Sequence, residues 1–263
     1  MHVKRLVVAV ILLPFFYFSI MGLPDIVFFV LLLTASIIAQ WEFSTMYRVG
    51  GLMKNTGILF GVLLFVTAHI AKTLFPHVLG FCVMAAAAVR LFGKRDPASS
   101  LSDLSPSLLA LFYIPGLLVF QLSLRGMGPE WIIFLYGCVW ASDSFALYAG
   151  KALGRRKLYR EVSPNKTVAG AVGSLTGGAF SGWLLNSLLL HSMTLLESLM
   201  IGIIIGATTI VGDLVESMFK RDAGVKDSSA IIPGHGGVLD KIDGVLFAGP
   251  VLYWICLAAG LAK

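Results

Sequence analysis

Residues 199–212 read LMIGIIIGATTIVG. Apolar side chains follow one another here without the strict alternation of a membrane-barrel strand, so the run is helical. The rest of the chain is built in the same way: 57% of its 263 residues are hydrophobic and 13% are charged, with a mean hydropathy of +0.88. Soluble domains carry about 25% charged residues, which argues against a water-soluble fold. A crossing needs roughly 20 apolar residues. Nine spans can be drawn, near 5–21, 25–41, 57–75, 76–92, 107–124, 130–150, 168–190, 194–213 and 244–262. The expected class is an all-α, polytopic integral membrane protein.

Basic residues orient it. With the N-terminus placed in the cytoplasm, 17 of the 20 lysines and arginines fall in inside loops, leaving Lys72, Arg125 and Lys263 outside. That asymmetry follows the positive-inside rule. The two long charged loops, 151–167 and 214–243, then both face the cytoplasm. Topology accounts for the net charge of +6, so no nucleic-acid partner is expected; the bilayer itself is. Cys82, Cys138 and Cys256 lie singly in apolar segments and form neither a disulfide framework nor a zinc motif. No A-x-A-like cleavage site follows Ile20, so the first hydrophobic segment reads as a retained helix.

Immediately after the opening run comes the densest chemistry in the chain. Residues 212–243 read GDLVESMFKRDAGVKDSSAIIPGHGGVLDKID. Asp213 stands where the apolar run meets water, with Glu216 three residues on and so on the same helix face. Asp240 and Asp243 repeat that spacing at the start of the last helix. Folded together, the two pairs would repel one another unless a divalent cation held them, and magnesium prefers such hard oxygen ligands while leaving positions for phosphate. Lys220, Arg221, Lys226 and Lys241 would neutralise remaining phosphate charge. The turn Pro233–Gly237, PGHGG, lets backbone come close to a ligand, and His235 is open to three roles: a hydrogen bond to phosphate, acid/base work, or a structural one.

Two further constellations stand out. Asp143, in WASDSFALYAGKALG (140–154), is either an intramembrane acid facing a cavity or an interfacial residue of a helix that ends early. In the basic loop 151–170, Gly150 and Gly154 allow a tight turn and Ser163 or Thr167 can cap the next helix. Lys166 precedes that helix, where its ammonium and backbone N–H groups would hold a phosphate. Gly202 and Gly206 make a small-xxx-small packing face. No linker divides the chain: 1–263 reads as one membrane domain, with 1–128 as scaffold and 129–263 as the site.

Ser217, Lys220, Arg221, Lys226, Asp227, Pro233, His235, Gly236, Gly237, Asp240 and Asp243 together resemble the signature of the phosphatidate cytidylyltransferases, or CDP-diacylglycerol synthases. Asp143, Gly150, Ser163, Pro164, Lys166, Thr167 and Gly170 resemble the same family upstream. Three positions depart from the family pattern: Lys241 stands for a usual arginine, Ala169 for a frequent glutamate, and Phe145 for a small residue.

The resemblance implies transfer of a cytidylyl group from CTP to phosphatidate, giving CDP-diacylglycerol and pyrophosphate. It also implies Mg2+, a second, monovalent cation (K+), and a homodimer. On this reading Asp143, Asp213, Asp240 and Asp243 hold metal, and Asp213, Asp240, Lys226, Asp227 and His235 serve catalysis. Ser163, Lys166, Thr167, Lys220, Arg221, Gly236, Gly237 and Lys241 bind substrate. The absence of a transit peptide and the short loops point to a bacterial inner membrane with the site facing the cytoplasm. Two rivals remain: a CTP-dependent lipid kinase of the polyprenol type, which would release CDP, and an ion-coupled transporter using Asp143 and Asp213.

Overall fold

The computed structural model describes residues 17–93, 96–231 and 236–261. His235 and Pro233, and most of the first expected span (5–21), lie outside the described residues. Among the described residues, a helical end at 17–21 is followed by nine α-helices: α1 Asp25–Met46, α2 Gly51–Ile70, α3 Phe75–Gly93, α4 Ser100–Tyr113, α5 Pro115–Met127, α6 Pro129–Leu153, α7 Val168–Leu185, α8 Leu195–Asp222 and α9 Leu239–Ala258. Between α6 and α7 lies a small antiparallel hairpin, β1 Lys157–Tyr159 and β2 Ser163–Thr167. Among the described residues, eight helical stretches are long and apolar enough to cross a membrane, with α4 and α5 together forming one of them. This is an integral membrane protein.

The break within that span has a covalent cause. Proline lacks an N–H, and its ring clashes with the carbonyl four residues back, so helix α5 restarts at Pro115 after Ile114 (φ −95°, ψ −75°). Pro106, just ahead of the span drawn at 107–124, sits inside α4, which begins at Ser100. Helix α8 also exceeds its expected bounds. It does not end at Asp213 but continues to Asp222, because Glu216, Lys220 and Arg221 are good helix formers and Glu216 pairs with Lys220 one turn on.

Glycine sets the spacing of the C-terminal helices. On α7, a Cβ at Gly173 or Gly177 would come within 2.6 Å of Phe145 O or 2.7 Å of Ala141 O on α6. Gly178 meets Gly202 backbone to backbone on the opposite side, and a Cβ at Gly206 would lie 2.6 Å from Ser174 O. The Ser174 hydroxyl donates to Gly206 O at 3.1 Å. Helices α6, α7 and α8 therefore touch through their backbones, as small-residue faces permit in lipid, and Gly202 and Gly206 do the packing expected of them. At the far end, the Asn186 side chain closes the α7–α8 connection by bonding Met193 O and N. A Thr194–Glu197 capping box then starts α8.

Candidate active site

The hairpin sets the upper wall of the site. Lys157 pairs with Thr167 and Tyr159 with Ser163. Thr167 leaves the strand in extended conformation and caps α7, its Oγ accepting from Gly170 N at 3.0 Å. Gly150 and Gly154 close the end of α6 against that cap: a Cβ at Gly154 would lie 2.8 Å from the Thr167 methyl. Their contribution is close approach rather than a left-handed turn. The outcome is that Lys166 projects across to α8, where Nζ lies 2.6 Å from Asp213 Oδ2.

Below it, carboxylates from α8 and α9 converge. Ligand atoms of Asp213, Glu216 and Asp243 lie within 4.8 Å of one another. Glu216 is 1% exposed; one of its oxygens meets Lys220, and Oε1 has no hydrogen-bond partner among the described residues. A buried carboxylate oxygen without a donor is costly, and three carboxylates this close repel one another. An all-oxygen donor set of this kind fits a hard divalent cation. The Tyr113 hydroxyl, buried beside these three acids, also lacks a partner among the described residues, while Phe219 and Phe247 hold its ring edge-on.

Asp240, expected to ligate metal, stands outside that trio. Oδ1 accepts from Lys220 Nζ at 2.6 Å. Oδ2 accepts from Ser228 N at 3.0 Å, Ser228 Oγ at 2.8 Å and Gly237 N at 2.7 Å. With both oxygens engaged, Asp240 works in this arrangement as an anchor for Lys220 and the chain before α9. Of the two expected pairs, Asp213 and Glu216 meet Asp243 without Asp240.

A cavity of about 810 Å3 joins these groups. Its walls include Asp143, Asp213, Asp240 and Asp243, with Lys151, Lys166 and Lys220 and the polar hairpin residues Ser163, Asn165 and Thr167. Leu147, Leu158 and Ile210 supply apolar wall. Asp143 opens into it from mid-helix, since α6 continues for ten more residues to Leu153; the helix does not end early at Asp143.

Several residues expected to bind substrate, and Lys226 and Asp227, expected to serve catalysis, fall elsewhere. Arg221 does not line the cavity: its guanidinium donates to Val162 O at 3.3 Å and Val225 O at 3.0 Å, tying the hairpin to the turn after α8. Lys226, Asp227 and Lys241 are exposed and outside the cavity wall. Gly236, at φ +82°, and Gly237 bring backbone close to protein carboxylates rather than into the cavity. A Cβ on Gly236 would lie 2.6 Å from Asp240 Oδ2, and one on Gly237 would strike Glu42 and Ser228. Glu42 was not singled out in the sequence. An acid alone in an apolar run (AQWEFSTM, 39–46) is the signal that marks it.

A profile described as the cytidylyltransferase family matches residues 3–259. The chain belongs to the cytidylyltransferase family. Among its relatives, a phosphatidate cytidylyltransferase of Synechocystis sp. is 34% identical over 253 residues, covering 81% of this chain and 82% of that protein. A phosphatidate cytidylyltransferase of Bacillus subtilis is 37% identical over 150 residues, 56% of each chain. One from Haemophilus influenzae is 41% identical over 123 residues, 45% of this chain and 43% of that one. The latter two alignments span only about half of those proteins.

Proposed function

We infer that the chain transfers a cytidylyl group from CTP to phosphatidate, releasing pyrophosphate and forming CDP-diacylglycerol for phospholipid synthesis. Family membership over nearly the whole chain supports the reaction. The observation that carries the mechanism is the meeting of Asp213, Glu216 and Asp243, the first and last of them at the wall of a cavity that also holds Lys166 and Lys220.

In the reaction a phosphatidate oxygen attacks the α-phosphorus of CTP, the new P–O bond forms, and the bond to pyrophosphate breaks. The nucleophile is already anionic, so no strong general base is needed. The protein's task is positioning and charge neutralisation. Asp213, Glu216 and Asp243 would hold Mg2+, with Asp143, another residue of the cavity wall, as a further ligand and a monovalent cation such as K+ as a second ion. When bound, Mg2+ supplies Lewis-acid neutralisation of phosphate oxygens. Lys166 and Lys220 bind phosphate oxygens, and Ser163 and Thr167 orient the nucleotide at the hairpin. The leucine and isoleucine wall gives the acyl chains a path beside the polar end. Asp240 keeps Lys220 aimed inward.

We further assign residues 129–263 the chemistry and 1–128 mainly support and lipid contact. The working orientation puts the site in the cytoplasm of a bacterium at its inner membrane, with the chain acting as a homodimer. The test is release of pyrophosphate from CTP by purified protein, with and without phosphatidate and Mg2+. Lipid-dependent pyrophosphate supports the assignment. CDP in its place would establish a lipid kinase, and neither product together with ion flux in proteoliposomes would establish a transporter.

A further inference from the structure

Glu42 lies on α1, in the half of the chain farthest in sequence from the cavity residues, yet it is fully buried and its carboxylate is filled by donors from the approach to α9. Oε1 accepts from Ser229 Oγ at 2.6 Å and Val238 N at 2.9 Å. Oε2 accepts from Leu239 N at 2.8 Å and lies 3.3 Å from Ser228 Oγ. The first N–H groups of a helix have no partner within it, and a carboxylate placed there also answers the positive end of the helix dipole. Here that cap comes from 197 residues away in sequence.

The same Ser228 and the neighbouring Gly237 are the groups that fill Asp240 Oδ2. Asp240 in turn holds Lys220 through its other oxygen. Glu42 and Asp240 thus grip the same two segments, Ser228–Ser229 and Gly237–Leu239, and Asp240 passes that hold on to Lys220 at the cavity wall. Resting on the reaction assigned above, we propose that Glu42 is a positioning residue for cytidylyl transfer: it joins Ser228–Ser229 to Val238–Leu239 and so fixes the Asp240–Lys220 pair against the reacting phosphates. Glutamine cannot replace it. Its amide nitrogen would face backbone N–H donors at one of the two positions, leaving a buried donor against a donor.

The test is steady-state kinetics of wild type, Glu42→Gln, Ser229→Ala and the double variant in detergent, with thermal unfolding of each. Positioning errors act on the transition state. Glu42→Gln should therefore lower kcat by about 10- to 100-fold with KM for CTP within about threefold, in protein that still unfolds cooperatively. Ser229→Ala, which removes one donor outside the cavity, should cost about two- to fivefold in kcat. Because both act through one network, the double variant should lose little beyond Glu42→Gln alone. Folded Glu42→Gln with wild-type kcat would overturn the proposal. So would losses that simply multiply, or a loss confined to KM. Should Glu42→Gln not fold, unchanged kcat in Ser229→Ala would overturn it. A wild type inactive with CTP and phosphatidate would overturn the assigned reaction and this proposal with it, whereas an active wild type matched by Glu42→Gln would overturn this proposal alone.

Discussion

Substituting Gly206 by alanine tests whether helix contact governs the site. An added Cβ would sit 2.6 Å from Ser174 O and 3.1 Å from Leu175 Cα. Ordinary contact begins near 3.4 Å, so α7 and α8 must part by about 0.8 Å. Overpacking of this kind costs about 1–3 kcal/mol, so a modest loss of thermal stability in detergent is expected. The larger consequence is chemical. Thr167 and Lys166 stand at the head of α7, and Asp213 lies two turns beyond Gly206 on α8, so the parting is felt at the 2.6 Å Lys166–Asp213 pair. A misplacement of about 1 Å can cost about 100-fold in rate, and a loss of roughly 10- to 100-fold in pyrophosphate release is expected. Gly80→Ala on α3, where an added Cβ meets nothing within 4 Å, is the control and should leave turnover unchanged. Full activity in Gly206→Ala would refute the claim that backbone contact between α7 and α8 sets the geometry of the cavity.

Other perturbations separate the roles of individual side chains. Lys166→Met keeps the stem and removes the charge; it should lower kcat/KM for CTP by about 100-fold, and an unchanged value would remove Lys166 from phosphate binding. Asp240→Asn and Asp243→Asn should each cut turnover by at least about 100-fold in folded protein, but only Asp243→Asn should weaken Mn2+ binding measured by electron paramagnetic resonance. Equal weakening in both would return Asp240 to the metal site. Arg221→Ala should cost less turnover than Lys166→Met, and Arg221→Lys should not restore it, because a point charge cannot span two carbonyls as the guanidinium fork does; full rescue by lysine would give Arg221 a phosphate-binding role.

Much of the architecture was readable from hydropathy, because each crossing must satisfy its own backbone in lipid and so announces itself as an apolar run. The exceptions have local causes. Helix α8 outlasts its apolar stretch because Glu216, Ser217 and Lys220 form helix without being hydrophobic. The strand Ser163–Thr167 was hidden because a short exposed segment with a proline lacks alternation, and only its pairing with Lys157–Tyr159 makes it a strand. At the site, Asp213 and Asp243 were legible from i,i+3 spacing, and Thr167 from its chemistry as a cap. Spacing could not reveal that Asp240 is consumed by Lys220, Ser228 and Gly237, nor that the glycines beside it serve protein carboxylates. Glu42 depends on contacts across almost 200 residues, which no local pattern records.

The account rests on three carboxylates from α8 and α9 sharing one cation beside the nucleotide. Anomalous diffraction from crystals grown with Mn2+ and CTP measures this directly. The expected result is a manganese peak among Asp213, Glu216 and Asp243, with phosphate density between it and Lys166 or Lys220. A peak elsewhere, or CTP bound in the cavity with no manganese at the trio, would contradict it.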